Sequence, residues 1–143
     1  MKKPIVLASD HAGYPLKEAL KRYLQTQGYD VKDVGTSSEQ DVDYPNFAKK
    51  GVEMVLHYDS MGIFVCGSGI GISIAANRHK RIRAARVVNQ VDVQLARQHN
   101  NANIICLAGR FLDEQEAERM VDIFLETPFI GGQHKNRIEL LDR

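Results

Sequence analysis

The run Cys66-Gly67-Ser68-Gly69-Ile70-Gly71 places one thiol directly before a turn of small residues. A turn of this kind at a helix start leaves backbone N–H groups pointing outward, and the helix N-terminus adds about half a positive charge. Together these groups suit a phosphate, a carboxylate or an oxyanion that develops during reaction. The same field favours the thiolate of a cysteine beside it, and with it a role as base or nucleophile. The alternative is that Cys66 is a buried strand cysteine and the glycines merely permit a tight turn. The run is not a dinucleotide fingerprint, because GxGxxG needs glycine at position 72 and Ile72 stands there. Nor is it a P-loop, because no Gly-Lys-Ser/Thr follows. A phospho-accepting signalling domain of this size would want a carboxylate where Cys66 sits.

Other residues suit acid–base work. Asp10-His11 sets a carboxylate beside an imidazole, a pair suited to proton transfer near neutral pH; the alternative for Asp10 is an N-cap of the first helix. Tyr44 before Pro45 is either a substrate contact or a core tyrosine. His99-Asn100 ends a helical pattern, and the alternative for His99 is a helix-ending surface histidine. Two basic clusters, Arg78 to Arg83 and Gln133 to Arg137, suit anions or a solvated face. The histidines and cysteines show no zinc spacing, so no metal is expected.

These residues are positioned by alternating short apolar runs and amphipathic segments. Ile5–Ala8, Tyr29–Val34, Ile63–Cys66, Arg83–Val88 and Asn103–Ala108 read as strands. Between them, Leu16, Leu20, Tyr23 and Leu24 share a helical face that Gly28 ends. Pro45 opens a second helix, a third runs from the glycine turn to about Asn77, and a fourth spans Val91–Gln98. Asp113 with Glu116 caps a fifth, and a short one runs from about His134 to Leu141. Gly35 to Asp43 is a polar loop. Such alternation implies a five-stranded parallel sheet with helices on both faces. In open sheets of this class ligands bind beyond the carboxyl ends of the strands. That edge carries Asp10, His11, Cys66 to Gly71, Asn89 and Arg110. The fourth helix starts at that edge and runs back, so His99 belongs at the opposite one. If His99 takes part in chemistry, it reaches the site of another subunit.

Length and composition agree. A chain of 143 residues predicts one domain over 1–143, large enough to fold without a metal or disulfide staple. With 43% hydrophobic and 26% charged residues it reads as an ordinary globule, and a net charge of +1 gives no pull toward nucleic acid or anionic membrane. No stretch is long enough for a membrane span or a signal peptide, and two cysteines make no disulfide framework, so the cytoplasm is the expected compartment.

The ordered motifs Ser9-Asp10-His11-Ala12-Gly13, Asp43-Tyr44-Pro45, Cys66 to Asn77 and Arg97-Gln98-His99-Asn100, completed by Gly131-Gly132 with His134 and Arg137, resemble the type B ribose-5-phosphate isomerases. That family also includes isomerases of allose 6-phosphate and galactose 6-phosphate. The resemblance runs from Ile5 to about Leu140. It implies a Rossmann-like α/β/α sandwich and a dimer, or dimer of dimers, with sites at the subunit interface. It implies a metal-free and cofactor-free aldose–ketose isomerase acting on ribose 5-phosphate and ribulose 5-phosphate through an enediolate, in the non-oxidative pentose phosphate pathway. Cys66 is then the base that moves the proton between C1 and C2, while Asp10 and His99 serve ring opening. Gly67, Ser68, Gly69, Ile70 and Gly71 hold the enediolate oxygens. His11, Asn100, Arg110, Gln133 and Arg137 contact substrate, the basic ones chiefly its phosphate, and Tyr44 lies close by. Position 133 departs from the pattern, with glutamine where many relatives carry arginine. A non-catalytic module for a phosphorylated ligand is the competing reading, since the glycine turn alone suits it. Cys66 separates the two, because simple phosphate binding does not need it. A nucleic-acid role through Arg78 to Arg83 ranks third.

Overall fold

The computed structural model describes residues 3–143, so Met1 and Lys2 of the expected domain lie outside the described residues. Five parallel strands, β1 (Ile5–Ser9), β2 (Val31–Asp33), β3 (Gly62–Cys66), β4 (Ala84–Arg86) and β5 (Ile104–Ala108), form one sheet in the order β2-β1-β3-β5-β4. Around it lie α1 (Tyr14–Thr26), α2 (Tyr44–Tyr58), α3 (Ile70–Ala76), α4 (Gln90–Asn100), α5 (Glu114–Glu126) and α6 (Gln133–Leu141).

The three central strands are buried along their whole length, which is why they read as unbroken apolar runs. Their side chains alternate between two cores. Leu7, Ile63, Val65, Ile105 and Leu107 face α1, α4 and α5 on one side. Ala8, Phe64, Cys66, Ile104 and Cys106 face α2 and α3 on the other. This is the expected α/β/α sandwich. The register aligns Ala8 with Phe64 and Cys66 with Ala108, so β1, β3 and β5 end close to one another. The direction of strand progression reverses between β1 and β3, and the crevice at such a reversal is where open α/β sheets take ligands.

Two edge strands are shorter than the sequence suggests. Tyr29 closes α1 instead of starting β2: its N–H bonds the Leu24 carbonyl at 3.0 Å, behind Gly28 at φ +90°. At β4, the Val88 N–H is captured by Asp92 Oδ2 at 3.0 Å while Asn89 Oδ1 accepts from the Asp92 N–H at 2.8 Å, so the cap of α4 ends the strand. Asp113 caps α5 as expected, accepting from the Glu116 N–H at 2.8 Å.

Polar ties fix the helices. The Lys17 ammonium, buried under α1, bonds Asp33 Oδ2 at 2.7 Å and the Thr36 carbonyl at 2.9 Å, and lies 3.0 Å from Glu18 Oε1. The Tyr23 hydroxyl donates to the Asp122 carboxylate, joining α1 to α5. No helix among the described residues is long and apolar enough to cross a membrane.

Candidate active site

The turns after β1, β3 and β5 converge on a cavity of about 440 Å³. Asp10, His11, Tyr44, Cys66, Gly67, Ser68, Gly71 and Arg110 line it, with Ala12 and Phe111. The convergence depends on close backbone packing. A Cβ on Gly13 would lie 2.3 Å from the Val65 carbonyl oxygen, so only glycine lets the turn after β1 lie against β3. Gly69, at φ +77°, reverses the chain into α3 where other residues would be strained.

Cys66 is 4% exposed, and its sulfur accepts the Gly69 N–H at 3.2 Å, a donor that stabilises negative charge on it. The loop N–H groups do not all point outward as expected. Gly69's is used by the sulfur, and Ile70's is taken by Ser68 Oγ at 3.1 Å. Gly67 and Ser68 have N–H groups with no acceptor among the described residues. Gly69 and Ile70 are not part of the lining, and Ile70 turns its side chain to the surface.

Asp10 is buried, and its Oδ1 accepts from the Gly13 N–H at 3.0 Å. It closes the turn before α1, whose N-cap is Gly13, so the helix-cap alternative does not hold in its simple form. His11 is oriented by the polar loop between β2 and α2. Its Nδ1 accepts the Val42 N–H at 3.2 Å, which leaves the proton of the neutral ring on Nε2, 3.4 Å from Asp41 Oδ1. Arg110 lies over Gly67, and its guanidinium has no hydrogen-bond or ion-pair partner among the described residues. Tyr44 is not a core residue: it is 38% exposed and packs its ring edge against Gly71.

His99, Asn100, Gln133 and Arg137 are absent from this pocket. His99 and Asn100 end α4, just before the Asn103 carbonyl accepts from the Gly62 N–H at the start of β3. A five-residue strand separates that edge from Cys66, a distance of about 13 Å. The expected opposite-edge placement of His99 is therefore what the fold gives. His99 stacks on His134, ring centroids 4.4 Å apart and planes 13° from parallel. Partial desolvation, then the charges of His99 and Arg137, lower the His134 imidazole from its ordinary value.

Sequence reasoning missed several contributors. Arg86 Nε donates to the Ser68 carbonyl at 3.1 Å, and its place at the end of β4 was the available signal. Phe111 and the Asp41–Val42 pair carried no signal beyond proximity to strand ends and a polar loop. Cys106 lies in the same core as Cys66, and burial pushes its thiol far up, with Cys66 adding to the effect; it packs as a neutral group. Among the described residues no group of three or more His, Cys, Asp or Glu is placed to hold a metal ion.

The profile of the ribose/galactose isomerase family matches residues 5–141. The chain belongs to that family. Within the ribose/galactose isomerases, a ribose 5-phosphate isomerase from Thermotoga maritima is 49% identical, superposes with a TM-score of 0.96, and is matched over 99% of both chains. Ribose-5-phosphate isomerase B from Mycoplasma genitalium, solved with bound ribulose-5-phosphate, is 40% identical with a TM-score of 0.95, over 100% of this chain and 96% of that one. Ribose-5-phosphate isomerase B of Escherichia coli is 36% identical over 140 residues, 97% of this chain and 94% of its own.

Proposed function

We propose that this chain, as a single domain over 1–143, interconverts D-ribose 5-phosphate and D-ribulose 5-phosphate in the cytoplasm without a metal or other cofactor. One observation carries the reading: Cys66 sulfur, braced by an N–H, shares a pocket with the Asp10 carboxylate and the unpaired Arg110 guanidinium. The relatives named above support the sugar-phosphate substrate.

Ribose 5-phosphate is mostly a closed ring, so the site first opens it. Asp10 and a His99 supplied by a second copy act as the acid–base pair for that step. Cys66 then removes the C2 proton, giving an enediolate, and returns the proton to C1. The developing charge needs fixed donors, and the turn from Gly67 to Gly71 provides them, with the Gly67 and Ser68 N–H groups open for it. Arg110 and His11 hold the phosphate together with Gln133 and Arg137 of the second copy. Tyr44 contacts the sugar, together with Asn100 of the second copy.

A homodimer, alone or doubled, fits this reading because His99, Asn100, Gln133 and Arg137 lie outside the pocket that holds the other groups. The surface around edge strand β4 suits such pairing. Ile70 and Ile74 on α3 and Val91 and Leu95 on α4 are all exposed there.

The test is ribulose formation from ribose 5-phosphate with and without EDTA, followed by the allose and galactose 6-phosphates. Turnover of the pentose that resists EDTA is the expected result. No turnover of any sugar phosphate by folded, assembled protein would overturn the reading.

A further inference from the structure

The stack of His134 on His99 is a built feature. α6 buries only Ile138 in the core, yet it is pinned at both ends. Before it, the Ile130 N–H bonds the Gln98 carbonyl at 3.1 Å, and Arg97 Nε donates to the Thr127 carbonyl at 3.0 Å. Both ties run to the last turns of α4, the helix that carries His99. Beyond α6, the Arg83 guanidinium pairs with Asp142 at 2.9 Å. The segment is thus fastened to α4 on one side and to the start of β4 on the other. The consequence is two imidazole planes 13° from parallel at 4.4 Å.

A lone histidine at a helix end has two free side-chain torsions, the second of which rotates the ring. A flat group pressed on one face removes most of that freedom, and a proton-transfer group works only when its nitrogens are aimed. We propose that His134 is a positioning residue: its ring holds the plane of His99 so that this imidazole meets the closed sugar of the second copy in one orientation. The proposal rests on the reading that His99 serves ring opening. His134 need not touch substrate or exchange a proton, and a flat, uncharged ring would serve in its place.

The experiment compares His134→Ala, His134→Leu and His134→Phe with the unaltered enzyme in both directions. Ribulose 5-phosphate cannot close a five-membered ring, because its C5 oxygen is esterified, so that direction bypasses ring opening at the outset. The alanine and leucine variants are expected to lose about tenfold in kcat on ribose 5-phosphate with KM nearly unchanged. The phenylalanine variant is expected to recover to within about threefold of the unaltered enzyme. Initial rates from ribulose 5-phosphate should fall less in all three. Unchanged kcat in His134→Ala would overturn the proposal, as would a phenylalanine variant no better than alanine. A raised KM with kcat intact would make His134 a phosphate ligand instead and overturn it equally. Absence of turnover in the unaltered protein would be a different failure: it removes the isomerase reading itself, and the positioning role with it.

Discussion

Cys66 owes its reach to a single amide. With Gly69 donating to the sulfur, the thiol is held at the floor of a pocket whose walls carry a carboxylate and a guanidinium. Cys66→Ala should lower kcat by about 10²- to 10⁴-fold, the usual worth of a positioned proton-transfer group. It should leave the melting temperature within a few degrees, because one sulfur atom leaves a small void. Activity surviving in a folded Cys66→Ala protein would remove cysteine as the base. Asp10, His11, Cys66 and Arg110 were legible because each ends or follows a strand at the edge where open sheets bind ligands. Tyr44 was ambiguous, since an aromatic at the first turn of a helix can face either way. The role of loop residues Asp41 and Val42 was not legible, because it arises from where the chain folds back over His11 and not from residue type.

At the scale of elements, the central strands were read almost to the residue and the edge strands were not. β1, β3 and β5 are fixed by continuous burial, which leaves a plain apolar signature. β2 starts late and β4 ends early because of competing hydrogen bonds, from Tyr29 to Leu24 and from Val88 to Asp92, whose partners lie on neighbouring helices. α6 was recognised as a helix, but nothing in its pattern foretold the stack it delivers. The tie between α1 and α5 invites a direct measurement. The hydrogen bond to Asp122, with smaller contributions from burial and nearby carboxylates, raises the Tyr23 hydroxyl from 10.0 to about 12. Folding therefore favours the protonated phenol. Its stabilisation is fully present below pH 10 and is lost as pH rises through about 12. Tyr23→Phe should cost about 1 kcal/mol near neutrality. The gap between the two proteins in thermal or urea melts should narrow steadily above pH 10. A gap that stays constant to high pH would mean that the bond contributes nothing to folding.

For the whole molecule, the decisive fact is that the candidate catalytic residues Cys66 and His99 sit at opposite edges of one sheet. The sequence implied this from helix direction alone, and the structure adds a strand's length between His99 and Cys66. Cys66→Ala and His99→Ala proteins, each nearly inactive, should regain activity when mixed under conditions that exchange subunits. A mixed dimer keeps one intact pairing of Cys66 with His99, so about a quarter of native activity is the statistical expectation at full exchange between equal amounts. Silence from a mixture with demonstrated exchange would overturn the shared site, and a His99→Ala protein active on its own would remove His99 from the chemistry.

Lys17 offers a clock. Its amine is sealed beneath α1 by Asp33 and the Thr36 carbonyl, while Lys49 and Lys50 stand in solvent. A reagent that acylates amines must wait for α1 to lift before it can mark Lys17, whereas the surface pair reacts at once. The lag reports how often this corner breathes. Because the Thr36 carbonyl that holds Lys17 lies at the start of the loop that carries Val42, which bonds His11, the same lag reports on the frame behind the pocket.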